Sequence, residues 1–184
     1  MGELANHPLI PIGTSKHATI CTRSDFMSLD NSVTRLSVGN NCNYASLTIL
    51  DLSRFLYLRQ LVVGSESLMY VNEVKLIGLN VLRNVTIGMN SFTQHKNDAG
   101  NDPNRHFYLK NCPKLKSLKM GRYSFSDYSV IEIENVDALE VIEMGDVNEE
   151  SHNFKWMRIT LENDAARITE RGTELALRCE CCEC

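Results

Sequence analysis

The sequence predicts a mainly β fold of short stacked repeats, in which equivalent strands lie side by side and parallel. Three observations support this prediction. A seven-residue phrase, apolar at its first, fourth and sixth positions and ending in glycine, occurs five times, with its glycine at positions 39, 64, 88, 121 and 145. Most of these glycines are 24 or 25 residues apart, and a second apolar phrase begins 8 residues before each of the last four copies. Such self-similarity is typical of repeat proteins, whose units share one continuous core.

The sequence divides into an N-terminal arm or cap at residues 1–32, a repeat block at residues 33–145, and a C-terminal helix with a cysteine-rich tail at residues 163–184. One repeat is longer than the others because it holds a polar insertion at residues 94–106, which should be a surface loop. The repeats are expected near residues 33–57, 58–81, 82–114, 115–138 and 139–162.

Each repeat should contribute two short strands, because apolar and polar residues alternate in both phrases. The glycine that ends the first phrase should either take a backbone angle that other residues avoid or allow close packing at the bend. A last strand is expected within residues 154–161, and a helix at residues 165–177 would close that end. The first strands should point these side chains into the core: Leu36, Val38, Leu61, Val63, Val85, Ile87, Leu118, Met120, Ile142 and Met144.

The repeated phrase, followed by Ser-Phe at residues 91–92 and 124–125, resembles the phrase of leucine-rich repeat proteins. It is most similar to the BspA-like class of those repeats, and the resemblance covers residues 33–145. It implies a short leucine-rich-repeat solenoid with parallel strands, two of them in each repeat. The usual role in that family is the binding of proteins or other macromolecules, so the resemblance implies a protein–protein interaction module.

Polar residues of the first strands should form columns on the outward face. Adjacent parallel strands are ~4.8 Å apart, so Arg59, Arg83 and Lys116 would make a basic ladder, and the next rung would be acidic. We predict that this face, with Lys119, Glu140 and Glu143, docks an acidic protein partner; the alternative is a solvated face. The columns are Thr34, Arg59, Arg83, Lys116 and Glu140 at the second position, and Ser37, Val62, Thr86, Lys119 and Glu143 at the fifth.

Four of the seven cysteines lie in the last six residues, at Cys179, Cys181, Cys182 and Cys184. Their two CxxC spacings could gather a soft metal such as zinc or copper(I), and the alternative is a tail that oxidises readily. Cys112 takes a core position of the second phrase, so we expect a small buried hydrophobe. Free thiols and the lack of a signal sequence favour a reducing, cytoplasmic setting.

Other classes of function receive little support. The net charge of −4 argues against a general nucleic-acid binder, and no apolar run approaches the ~20 residues that span a bilayer. No phosphate loop, nucleophile elbow, metalloprotease helix or dinucleotide fingerprint occurs, so we expect neither an enzyme nor a cofactor. The remaining alternative is a structural role, in which open ends of the repeat stack associate with other copies.

Overall fold

The computed structural model describes residues 15–96, 102–145, 153 and 158–162, the last five by their backbone alone. Within these ranges the chain forms eleven strands and one helix of five residues, α1 (Arg23–Met27). The strands are β1 (His17–Ile20), β2 (Arg35–Val38), β3 (Ile49–Asp51), β4 (Gln60–Val63), β5 (Glu73–Ile77), β6 (Asn84–Ile87), β7 (Asp102–Lys110), β8 (Ser117–Met120), β9 (Tyr128–Glu134), β10 (Val141–Met144) and β11 (Arg158–Glu162).

The strands form two parallel sheets, and from β2 onward the chain alternates between them. The first sheet has the order β1-β2-β4-β6-β8-β10, and the second has the order β11-β9-β7-β5-β3. In the first sheet Leu36 pairs with Leu61, which pairs with Val85, so equivalent residues of successive repeats are neighbours. The mainly β fold with parallel strands is therefore confirmed, whereas the solenoid remains a prediction.

The core lies between the sheets and consists of the alternate apolar side chains of both strand sets. Nine of the ten side chains that the sequence assigned to the interior are buried, and Met144 packs against the core while partly buried. Phe92 and Phe125 lie at the ends of two successive turns, where their rings stack with centroids 4.7 Å apart. Cys112 is buried, as predicted, and burial raises the pKa of its thiol to about 11.

The glycines that end the first strands are required by close packing between repeats. A Cβ on Gly88 would lie 2.5 Å from the amide nitrogen of Ser65 and 2.7 Å from the carbonyl carbon of Gly64. Gly121 is equally close to Met89 and Gly88, while neither Gly88 nor Gly121 has a positive φ. Of the two expected reasons for these glycines, close approach holds at both positions, and a left-handed backbone occurs at Gly145 instead, where φ is 72°.

We expect Gly88→Ala to lower the free energy of unfolding by about 1–3 kcal/mol, because the new methyl group would press on backbone atoms that cannot rotate away. The matched control is Gly78→Asn. Gly78 has a φ of 70° with nothing within 4 Å of an added Cβ, and Asn111 and Asn135 already hold the equivalent position with φ of 54° and 53°. The control should stay within about 0.5 kcal/mol in urea unfolding, and equal losses in both variants would contradict the packing argument.

Buried serines join successive turns of the chain. Ser67, Ser91 and Ser124 donate their hydroxyl protons to the carbonyls of Gly39, Gly64 and Gly88, at 2.7, 2.7 and 2.6 Å. Ser67 Oγ also accepts from the amide of Cys42, and Ser91 Oγ accepts from the amide of Ser67. The next carbonyl in this series, that of Gly121, accepts from Asn153 Nδ2 at 2.7 Å. Asn153 therefore takes over the serine's role one repeat later.

The N-terminal part of the described chain adds β1 and α1 to the first repeat. A capping box of Thr22 and Asp25 begins the helix, and Phe26 packs against the ring of Phe55.

A disulfide joins Cys21 to Cys42, with 4.8 Å between their Cα atoms. The assumption that the cysteines are free thiols is therefore wrong for this pair. Because disulfides persist mainly in oxidising compartments, this bond removes one of the two reasons for the predicted cytoplasmic setting, which stays a prediction.

The polar insertion differs from the predicted surface loop, because its last residues belong to β7. The register between β7 and β9 shifts between Asp102 and His106, and such bulges re-aim side chains. The side chain of Arg105 is consequently 1% exposed, and its Nη1 donates to Asp127 Oδ1 and to the carbonyl of Phe92, both at 3.0 Å. Residues 97–101 lie outside the described chain.

Candidate protein-binding face

The predicted partner-binding residues lie on one surface, which we call the outer face of the first sheet. It consists of the outward side chains of β2, β4, β6, β8 and β10 and of the residue that precedes each of the last four strands. Side chains alternate along a strand, so every second residue points away from the core. The burial pattern of β6 shows this directly, since Asn84 and Thr86 are exposed while Val85 and Ile87 are buried.

Backbone hydrogen bonds align the second-position residues in one row. The amide of Arg83 donates to the carbonyl of Arg59 at 2.8 Å, the amide of Lys116 donates to Arg83 at 2.8 Å, and that of Glu140 donates to Lys116 at 3.0 Å. The strand register likewise places Lys119 beside Glu143. All six residues that the sequence singled out are thus brought together, in the order that the repeat predicts.

One end of this row is electrically neutral. Lys116 Nζ lies 2.8 Å from Glu140 Oε1, and Lys119 Nζ lies 2.9 Å from Glu143 Oε2. These pairs join neighbouring strands, and their side chains are between two-fifths and two-thirds exposed. Exposed pairs of this kind contribute only about 0–1 kcal/mol to stability. Their main effect is to cancel the charge of both lysines locally.

The other end of the row keeps its positive charge. Arg59 and Arg83 are exposed, and neither forms an ion pair with any residue that the structure describes. Thr34 begins the row in sequence but is not outward, because it is buried and its Oγ1 accepts a hydrogen bond from the amide of Lys16. The prediction that Thr34 belongs to the outward column is therefore wrong.

Sequence reasoning missed Arg35, which is exposed on the same face and pairs in register with Gln60. Its signal was present, since the third position of the phrase alternates outward together with the fifth. Arg35 lies one residue further along than Thr34, so its register partners are Gln60 and then Asn84, each next to Arg59 or Arg83 in sequence. The basic group is thus Arg35, Arg59 and Arg83, which we call the arginine cluster.

On the outward side of the second sheet, the described side chains include no comparable group of unpaired arginines. Lys75 lies 3.0 Å from Glu73, and Lys110 lies 2.6 Å from Glu132 and 3.3 Å from Glu134. Hydrogen bonds to these glutamates raise the pKa of both lysines. The described lysines of this side are thus paired with glutamates, which fits the mixed signs of its sequence.

Beyond these faces, a cleft of about 310 Å³ is lined by Met89, Asn90, Lys96, Arg122 and Tyr123. No cluster of three potential metal ligands occurs in the part of the chain that the structure describes, and no helix there is long and apolar enough to cross a membrane. The proposed metal ligands, Cys179, Cys181, Cys182 and Cys184, lie outside the described residues, as does the expected helix at residues 165–177.

Comparison with protein-family models, with curated proteins and with solved structures found no match to this chain.

Proposed function

We propose that the protein is a non-catalytic interaction module of the leucine-rich-repeat type, which binds a protein partner on the outer face of the first sheet. The observation that supports this most strongly is the pair of exposed arginines, Arg59 and Arg83, on adjacent strands without an ion-pair partner among the described residues. The outward lysines that the structure describes on the two sheets lie close to glutamates.

Arginine side chains at such positions suit binding better than stability. An unpaired surface arginine contributes little to the folded state, whereas arginine is enriched where proteins meet because its planar guanidinium donates several hydrogen bonds. The strands beneath hold the side chains on a rigid base, since their inward residues Leu61 and Val85 are buried in the core. A rigid platform reduces the conformational entropy that a partner must overcome on binding.

The proposal is tested by capture from a lysate of the source cells, with identification of the captured proteins. The test variant is Arg59→Glu with Arg83→Glu. The matched control is Arg23→Glu with Lys114→Glu, which changes the net charge equally at two exposed residues away from the face, on α1 and in the turn before β8. Circular dichroism must first show that all three proteins are folded.

We expect one defined protein to be captured by the wild type and by the control, and lost with the test variant, because only that variant reverses the charge of the face. Equal capture by all three proteins would contradict the proposed face. Loss with both variants would show a dependence on net charge alone and would contradict it as well.

Self-association is a second candidate, because β3 ends the second sheet and carries an exposed apolar residue. Ile49 is 47% exposed on this three-residue edge strand, and Leu56 in the following turn is 46% exposed. Open strand edges can pair with another chain. Sedimentation over a hundredfold range of concentration would show a rising mass if copies associate, and Ile49→Lys should then abolish the rise.

A further inference from the structure

We propose that the arginine cluster binds a carboxylate-rich segment of the partner, and that binding is confined to the half of the face formed by β2, β4 and β6. This inference deepens the proposed function and depends on it. It names the chemistry of the segment that is recognised, the three residues that recognise it, and the boundary of the site on the sheet.

The three exposed arginines lie on, or directly before, three adjacent strands. Arg35 lies on β2, while Arg59 and Arg83 directly precede β4 and β6, and backbone bonds run from the amide of Arg59 to the carbonyl of Thr34 and from the amide of Arg83 to that of Arg59. Neighbouring strands are ~4.8 Å apart, so the cluster extends over ~10 Å. That length fits several consecutive residues of a bound segment, whether it is extended or helical.

The surroundings leave this charge uncompensated. Apart from Arg35, the described outward residues of β2, β4 and β6 are uncharged, and each of them is shorter than arginine. A segment lying on them can approach the guanidinium groups closely, and a carboxylate can then accept two parallel hydrogen bonds from one guanidinium. The outward residues that accompany the cluster are Ser37, Gln60, Val62, Asn84 and Thr86.

The boundary follows from the ion pairs on β8 and β10. Lys116 and Lys119 are each held within 3 Å of a glutamate oxygen, so they have little net attraction for a second carboxylate. Glu140 and Glu143 would repel an acidic segment that extended over β10. The charge pattern therefore attracts an acidic segment to the half of the face formed by β2, β4 and β6. It does not attract the segment to β8 and β10, so the segment has one favoured position on the sheet.

The test measures fluorescence anisotropy of a fluorescein-labelled octa-glutamate peptide on the full chain, with octa-glutamine as the uncharged probe. The first variant, Arg35→Gln with Arg59→Gln and Arg83→Gln, removes the cluster. The second, Lys116→Gln with Glu140→Gln, removes a neighbouring pair at constant net charge. Circular dichroism should show both variants folded, because all five side chains are exposed.

We expect octa-glutamate to bind the wild type and the second variant equally, and octa-glutamine to bind neither. The first variant should lose at least about tenfold in affinity, since charge-assisted hydrogen bonds are the strong ones. Binding by the wild type should also weaken steeply from low salt to 0.5 M salt, because these exposed charges are screened.

Equal binding of octa-glutamate by the first variant would overturn the inference, and so would an equal loss in the second variant. If octa-glutamate fails to bind while lysate capture still depends on Arg59 and Arg83, the inference fails and the proposed function stands. A doubly phosphorylated serine peptide that binds where octa-glutamate does not would replace the carboxylate with phosphate and would also overturn it. If lysate capture fails as well, both proposals fall.

Discussion

Asp127→Ala should lower the free energy of unfolding by about 3–5 kcal/mol, the usual cost of removing one partner of a buried ion pair. Arg105 and Asp127 are 1% and 2% exposed, so the substitution leaves a guanidinium buried without its counter-charge. Asp127 Oδ2 also accepts hydrogen bonds from the amides of Gln94, at 2.9 Å, and His95, at 3.3 Å. These backbone groups would lose their acceptor too. Urea unfolding followed by circular dichroism measures the loss.

The matched control is Asp102→Ala. The Asp102 carboxylate is also near Arg105, but its Oδ2 lies 3.7 Å from Nε and its side chain is 42% exposed. Because solvent screens that contact, the control should cost less than about 1 kcal/mol. A loss below 1 kcal/mol for Asp127→Ala, or equal losses for the two variants, would contradict the expected cost of breaking the buried ion pair.

Phe125→Ala should be comparably damaging, at about 3–5 kcal/mol, because truncation of a buried aromatic side chain leaves a large cavity. Phe125 is fully buried and contacts three rings: its centroid is 4.7 Å from Phe92, 5.2 Å from Phe107 and 4.8 Å from Tyr128. Phe92 and Phe125 belong to successive repeats, while Phe107 lies on β7 and Tyr128 on β9. Phe125 therefore connects the two repeats with two neighbouring strands of the second sheet. The free energy of unfolding in urea is again the measurement.

Two further variants help to interpret the loss in Phe125→Ala: one tests the backbone conformation of residue 125, and the other truncates an exposed side chain. Phe125 has a φ of 59°, which alanine disfavours and glycine tolerates. Phe125→Gly should thus be no less stable than Phe125→Ala, although it removes one more carbon atom. Met89→Ala, at a side chain that is 44% exposed, should change stability by less than about 0.5 kcal/mol. A small loss for Phe125→Ala would contradict the role of this stack.

The repetitive part of the fold could be predicted because each of its elements is determined locally. Period-two apolar residues fix which side chains enter the core, and a constant repeat length fixes the register, so Leu36, Leu61 and Val85 stand in line. The parts that depend on a single contact could not be predicted. Nothing in the local pattern indicates that Arg105 turns inward to Asp127, because the bulge that re-aims it belongs to the pairing of β7 with β9.

The cysteines show the same limit. Cys21 and Cys42 are 21 residues apart and carry no spacing motif, and they meet only because β1 pairs with β2. Cys112, in contrast, takes a repeated core position, so its burial could be predicted from the register alone.

For the candidate face, the order of the residues along the row could be predicted from the sequence, but the pairing of their charges could not. The order Arg59, Arg83, Lys116 and Glu140 follows from the repeat, and the backbone bonds reproduce it. Whether neighbouring side chains pair depends on rotamers, so the sequence could not show that Lys116 is neutralised while Arg59 and Arg83 are not. The burial of Thr34 likewise depends on β1, which lies outside the recognised repeats.

The most direct test of the account is a photo-cross-linking measurement on the two faces. A benzophenone amino acid is placed at Val62, a half-buried outward residue of β4, the strand that follows Arg59, or at Ile77, a half-buried outward residue of the second sheet. Both proteins are irradiated in source-cell lysate, and the cross-linked proteins are identified. We expect a defined partner to be joined at position 62 and not at position 77. The same partner joined only at position 77, or equally at both, would contradict the claim that the outer face of the first sheet is the binding surface.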